Sequence, residues 1–187
     1  MPKIFVYPTD TVYGLGCGSK DRQAIQEIFK IKKRDKKKPM IVLVSSYCML
    51  KKYFFVSKKQ ENYLRSVWPK TSRDARKENL DYKIKPTTVI LKSRGNLAKE
   101  LLASDGSGAV RLPHYSRLVR EIKKIDKPIV STSLNISGRA PLKDLKNIKK
   151  YFGFDIPLLF EDIDFKPKKA SRLIDIRDIN NIKILRR

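Results

Sequence analysis

Three short segments of this 187-residue chain hold the side chains that could do chemistry. The first is Lys32-Lys33-Arg34, followed by Lys38-Pro39, where several cations converge between a helix and the next strand. An arginine fork suits bidentate binding of phosphate or carboxylate, and lysine supplies a compact point charge. The second is Ser131-Thr132-Ser133-Leu134-Asn135-Ile136-Ser137-Gly138, directly after the apolar run Pro128 to Val130. Small hydroxyl and amide side chains at a strand end can donate to phosphate oxygens without blocking close approach. The third is Pro8-Thr9-Asp10-Thr11 ahead of the glycines Gly14, Gly16 and Gly18. Each segment also has a plainer reading. The first could be a solvated helix end favoured by the helix dipole, the second an ordinary Ser/Asn turn and Thr11 a turn-stabilising hydroxyl.

Several reaction classes are missing their residues. GxxxxGK[ST] does not occur, and the Gly14-Gly16-Gly18 run fails GxGxxG. His114 is the lone histidine, and Cys17 and Cys48 lack metal-ligand spacing, so no protein metal site is expected and both cysteines read as reduced and structural. An enzyme built from this chain would work by positioning anions and neutralising developing charge.

The elements that must position these residues alternate between strand and helix. Lys3 to Tyr7 reads as a strand ending at a glycine-rich turn, Gly14 to Gly18. Ile25, Ile28 and Phe29 predict an amphipathic helix from Arg22 to Lys32. Strands follow at Met40 to Val44, Thr88 to Leu91, Ala109 to Leu112, Pro128 to Thr132, Leu158 to Phe160, Leu173 to Ile176 and Ile182 to Leu185. Helices are expected over Tyr47 to Trp68, Ser116 to Lys124 and Leu142 to Tyr151. This alternation predicts an α/β sheet with crossover helices. Lys70 to Lys85 is polar and strongly basic and reads as an exposed loop insertion or flap.

The length suits one domain. No apolar run spans a bilayer and no signal pattern follows Met1, so a cytoplasmic, non-membrane protein is expected. The formal charge of +24 would attract polyanions. With 29 lysines scattered along the chain, that charge reads equally as a solvated surface or as a nucleic-acid footprint.

Taken together and in order, the segments resemble a known family. Pro8-Thr9-Asp10-Thr11-Val12-Tyr13-Gly14-Leu15 is similar to its P-T-[DE]-T-V-Y-G-L motif, Lys32-x-Arg34 with Pro39 to K-x-R…P, and Ser133-x-Asn135-x-Ser137-Gly138 to S-x-N-x-S-G. Val110-Arg111-Leu112-Pro113 and Ile184-Leu185-Arg186 are similar to V-R-x-P and the closing I-L-R. The chain thus resembles the YrdC-like L-threonylcarbamoyladenylate synthases, in a single-domain form over residues 1–187. The resemblance implies a twisted open α/β sheet flanked by helices, with a concave basic cleft. It implies that threonine and bicarbonate form a carbamate that attacks the α-phosphate of ATP, releasing pyrophosphate and leaving threonylcarbamoyl-AMP for modification of adenosine in tRNA. ATP is then a substrate, Mg²⁺ rides on its phosphates, and a threonylcarbamoyl transferase complex takes the product. The basic surface is open to a tRNA contact.

Residue by residue, the resemblance puts Arg34 and Lys38 on the triphosphate and Lys32 on threonine, carbamate and phosphate. Ser133 and Asn135 would hold phosphate oxygens, Thr11 and Arg111 the substrate threonine, and Arg186 the nucleotide. Ser107 is a further ATP contact and Ser171 a further threonine contact. Tyr13 could pack near the site or in the core. A non-catalytic RNA-binding module on the same basic fold is the alternative reading.

Four departures from the family pattern stand out. The chain starts at its first strand, so a preceding helix is expected to be missing and its place covered by something else. Trp68-Pro69 is separated from Pro86-Thr87-Thr88 by the basic segment. Leu43 stands where longer members have a histidine, and Arg172 follows Ser171 where S-T is usual.

Overall fold

The computed structural model describes residues 3–68, 85–162 and 165–187. The predicted loop insertion at Lys70 to Lys85 lies, apart from Lys85, outside the described residues.

Among the described residues the strands are β1 (Ile4–Tyr7), β2 (Gly14–Cys17), β3 (Ile41–Leu43), β4 (Thr87–Lys92), β5 (Ser107–Arg111), β6 (Ile129–Ser133), β7 (Arg172–Asp175) and β8 (Lys183–Arg186). They form one open mixed sheet in the order β1-β2-β6-β3-β5-β4-β7-β8, parallel at β3/β5 and β4/β7 and antiparallel elsewhere. The helices are α1 (Arg22–Ile31), α2 (Tyr47–Tyr53), α3 (Lys58–Val67), α4 (Ser116–Ile125) and α5 (Ile148–Phe152). The α/β class and the open sheet expected from the sequence are both present.

The predicted glycine turn is instead a strand. β2 runs between β1 and β6, with Gly14 opposite Tyr7 on one side and Ser133 on the other. Its glycines allow close approach. A Cβ on Gly16 would lie 2.1 Å from the Val130 carbonyl oxygen, and one on Gly14 would lie 2.7 Å from the Tyr7 ring. The buried Tyr7 hydroxyl donates to that same carbonyl at 3.1 Å. Glycine is therefore used here for its missing side chain.

Helix α1 follows its predicted pattern, burying Ala24, Ile25, Ile28 and Phe29, with Asp21 accepting from the Ala24 N–H as N-cap. The long helix expected over Tyr47 to Trp68 is broken in two. Phe54 is buried and bridges Ser93, and the Phe55 N–H donates to Lys92. Ser57 and Gln60 then form a capping box that restarts the chain as α3. The helix expected from Leu142 to Tyr151 shrinks to a 3₁₀ turn and α5.

The expected strand at Leu158 to Phe160 reduces to one parallel bridge between Leu158 and Val6. The Val6 N–H donates to Pro157 and the Leu159 N–H to Val6, so this later segment satisfies the outer edge of β1. It occupies a flank for which the sequence suggested no partner.

Gly16→Ala is expected to lower stability by about 3 kcal/mol, because its methyl has a backbone oxygen as its obstacle. The melting temperature should fall by roughly 6–12 °C. An unchanged thermal melt would show that β1, β2 and β6 do not pack this closely.

Candidate functional site

Register brings the predicted motifs together. Gly14 sits opposite Ser133 across β2 and β6, while Leu43 pairs with Arg111 across β3 and β5. Around them lie two pockets that share Arg34 and Ser133. The inner one encloses about 610 Å³, including space open to solvent, and receives Thr11, Arg34, Arg111, Ser171 and Arg186. The outer one encloses about 790 Å³ and is lined by Lys32, Lys33, Arg34, Lys38, Ser133 and Asn135, with Asp35 as its carboxylate.

Thr11 is buried, and its hydroxyl lies 2.9 Å from that of Thr9 and accepts from Arg111 Nη1 at 3.3 Å. Arg111 is 2% exposed, and its Nη2 lies 3.3 Å from Asp10 Oδ1. Asp10 Oδ2 in turn accepts the His114 backbone N–H at 3.0 Å. Arg111 therefore already has an acidic partner, while its Nε has no hydrogen-bond partner. Asp10 is a buried partner of Arg111 to which the sequence assigned no part. Its only signal was its position beside Thr11 in the motif, since its partner lies a hundred residues away.

Lys32 is 1% exposed. Its ammonium donates to the Ser133 carbonyl, to the Asn135 carbonyl at 2.5 Å and to Asn135 Oδ1 at 2.9 Å. Three donors meet three acceptors, so the side chain is saturated by the loop after β6. The Lys32 carbonyl also accepts the Ser137 N–H at 2.8 Å. Burial, reinforced by the neighbouring Arg34 charge, pushes the Lys32 ammonium down to about 7. The rest of the loop is equally committed. Ser133 Oγ donates to Asn135 Oδ1 at 2.5 Å, and the Asn135 amide donates to Ile136 and Arg139 carbonyls at 3.0 and 2.6 Å. Ser137 lines the outer pocket, but its Oγ is itself buried and has no hydrogen-bond partner.

Arg34 is partly buried and donates to the Lys38 and Pro39 carbonyls at 2.8 and 3.1 Å, bracing the turn that presents Lys38. Burial lowers its pKa; Asp35 opposes this and Arg186 adds to it. Arg186 Nε donates to the Ser171 carbonyl at 2.9 Å, and the Ser171 and Thr88 hydroxyls are 2.8 Å apart. Burial and the Arg111 charge lower the pKa of Arg186. These opposed cations make the inner pocket receptive to an anion.

Ser107 is not brought to this cluster. It begins β5, four residues before Arg111, and its hydroxyl donates to Asp105 at 2.7 Å. Tyr13 is buried, and its ring packs tilted against Phe165 with centroids 4.3 Å apart. Leu43 is fully buried, and Arg172 donates to the Thr87 hydroxyl at 3.0 and 3.3 Å. Among the described residues no helix is long and apolar enough to cross a membrane.

A family model for Sua5, YciO and YrdC, carrying the description "Telomere recombination", matches residues 2–187. A threonylcarbamoyl-AMP synthase of Blochmanniella pennsylvanica (strain BPEN) is 31% identical over 98% of this chain and 87% of its own length. The E. coli YciO crystal structure is similar with a TM-score of 0.77 and 22% identity, over 98% of this chain and 82% of that one. P. abyssi Sua5 complexed with L-threonine has a TM-score of 0.76 and 22% identity over 98% of this chain. This chain spans about half of that protein, 50% of its length.

The Lys32 clamp has a pH signature. With the folded pKa near 7 and an ordinary value of 10.5, the unfolded chain holds more protons between those values, so this group's contribution to stability rises with pH across that window. Below about 7 both states are charged and the full burial cost remains. The stability of the native protein relative to Lys32→Met should therefore increase from about pH 7 to pH 10. A neutral amine has two N–H groups for three acceptors, so anion affinity at the outer pocket should fall over the same range. A stability difference that does not change with pH, measured by urea unfolding, would contradict this clamp.

Proposed function

The chain belongs to the Sua5, YciO and YrdC family, and from that premise we propose that residues 1–187 form one domain acting as a threonylcarbamoyl-AMP synthase. The observation that carries this reading is the meeting of two cationic pockets at Arg34 and Ser133. A reaction that joins an amino-acid carbamate to a triphosphate needs one pocket for a carboxylate, another for a polyphosphate, and a shared wall where they react. The relative named as a threonylcarbamoyl-AMP synthase supports the same conclusion over a non-catalytic RNA-binding module.

In this mechanism the threonine amine adds to bicarbonate with loss of water, giving a carbamate. A carbamate oxygen attacks the α-phosphorus of ATP. The bond from that phosphorus to the bridging oxygen of the β-phosphate breaks, and pyrophosphate leaves with the electron pair. Threonine occupies the inner pocket, where the Thr11 hydroxyl and the Arg111 guanidinium meet it. Asp10 holds Arg111 in place, so the fork is oriented before the substrate arrives. Arg186, anchored on Ser171, closes the nucleotide side. Arg34 stands between the pockets, where negative charge builds on the α-phosphate, and Lys38 meets the triphosphate beyond it.

Ser133 and Asn135 line the outer pocket, but their polar groups are largely spent on each other and on Lys32. Their part in this reading is to fix the shape of the phosphate cradle, and Lys32 contributes mainly by holding that cradle. Ser107 lines neither pocket and has no assigned part. Mg²⁺ enters in this reading as the counter-ion of the ATP phosphates. The product passes to a threonylcarbamoyl transferase acting on tRNA, and we place the reaction in the cytoplasm with its substrates.

Purified protein given ATP, Mg²⁺ and bicarbonate should release pyrophosphate only when threonine is added, and threonine-independent or absent release would overturn the assignment. Arg34→Ala should lower turnover by about 100-fold or more, the cost of removing a donor from a preorganised charge-stabilising site. Circular dichroism should show the variant still folded. Native-like turnover in that folded variant would remove Arg34 from the mechanism.

A further inference from the structure

Helix α1 ends in a way that its sequence makes costly. Lys32 is its C-cap, and Lys33 follows in the left-handed conformation at φ 49°. Only one other non-glycine residue among those described has a positive φ, Asp126 at the end of α4. The conformation of Lys33 is imposed by the helix end. The Arg34 N–H reaches back to the Phe29 carbonyl at 2.9 Å, and the Lys33 N–H reaches Lys30 at 2.9 Å. This wrap over the last turn is the geometry in which glycine is favoured, because a Cβ is crowded there. What a lysine gains locally at this position is the favourable dipole of the helix C-terminus.

Electrostatics adds a second cost. Lys33 is exposed and lines the outer pocket with Lys32, Arg34 and Lys38, against the single carboxylate of Asp35. Cations lining one pocket repel one another and give it a positive potential. Both costs sit at one residue, between the two residues of the K-x-R motif. The Cβ crowding is permanent, whereas the repulsion becomes attraction when a polyanion enters.

We propose that Lys33 is a polyphosphate-binding residue of the outer pocket, whose ammonium meets the phosphates displaced from the reacting centre and does not serve the threonine side. The proposal rests on the synthase reading for its biological substrate, ATP, but binding of a bare polyphosphate tests it separately. A tolerated surface lysine predicts a different outcome, namely that removing it improves the helix end at no expense in binding.

The test compares Lys33→Gly, Lys33→Asn and Lys33→Arg with the native protein. Inorganic tripolyphosphate is titrated by calorimetry at two salt concentrations, and thermal melts are recorded without ligand. Lys33→Gly should melt about 2–4 °C higher, from relief of the left-handed strain and repulsion. It should bind tripolyphosphate about three- to tenfold more weakly, with a shallower salt dependence. Lys33→Asn, which tolerates the conformation without charge, should lose the same affinity, and Lys33→Arg should keep it. In turnover, Lys33→Gly should raise the KM for ATP and leave the KM for threonine unchanged.

Native tripolyphosphate affinity in Lys33→Gly would overturn the proposal, as would a melting temperature below that of the native protein. If the native protein shows no threonine-dependent pyrophosphate release, yet Lys33→Gly still weakens tripolyphosphate binding, the synthase reading fails while the polyphosphate site stands.

Discussion

A buried ammonium joins the two halves of this cleft. Lys32 leaves the end of α1 and holds oxygens of Ser133 and Asn135, which lie 101 and 103 residues further along the chain. A buried cation without partners would be prohibitively costly, so its three acceptors are a condition of its presence there. The reverse also holds. The loop after β6 turns two carbonyls and an amide oxygen toward one point, an arrangement that calls for an N–H donor at its centre. Helix α1 and strand β6 are thereby fixed relative to each other, and Arg34, two residues beyond the clamp, inherits that position. The motif reads as a list of substrate ligands, but its first lysine acts on the protein.

The remaining cations are arranged so that the free site is electrostatically unsatisfied. Arg111 has Asp10, whereas Arg34 and Arg186 bond only to neutral carbonyl and hydroxyl oxygens; burial lowers the basicity of both, with Arg186 adding to the effect on Arg34 and Arg111 to that on Arg186. Carbonyl partners orient a guanidinium without cancelling its charge. The fold carries this arrangement because the strands delivering Arg111 and Arg186 belong to a sheet whose centre is apolar and fully paired. An anion entering the cleft then meets groups that are already oriented and has little reorganisation to drive.

Local patterns were legible in the sequence wherever the residues that decide them are neighbours. The apolar spacing of α1 and the β-branched composition of β1 lead directly to their elements. The failures have long-range causes. Gly14 to Gly18 looks like a turn because glycine is ambiguous locally, and the reason for it, the Val130 carbonyl pressing on Gly16, is remote in sequence. The broken helix over Tyr47 to Trp68 turns on Phe54 finding Ser93 across a bridge, which overrides a sound helical pattern. At the site, the motif placed Thr11, Lys32, Arg34, Arg111 and Ser133 near one another, and the pockets agree. Asp10 and the saturation of Lys32 depend on pairings between distant segments, so no window of sequence contained them. Ser107, a hydroxyl of the expected type, sits at the opposite end of its strand from Arg111 and lines neither pocket.

The split between Trp68 and Thr87 is where the cleft would most readily come apart, and the bonding across it explains why the site can tolerate the interruption. The Trp68 indole is fully buried and donates to the Thr87 carbonyl at 2.7 Å, with its ring tilted against Tyr47. Thr87 also accepts the Arg172 guanidinium, and its neighbour Thr88 bonds Ser171, whose carbonyl anchors Arg186. Hydrogen bonds thus link one margin of the split, through the Thr87-Thr88 pair and Ser171, to Arg186. Closure entropy grows only logarithmically with the number of residues between two joined ends, so holding Trp68 and Thr87 together is an inexpensive demand. The geometry that matters is set by Trp68 meeting Thr87, and the number of residues between them can vary without moving Arg186.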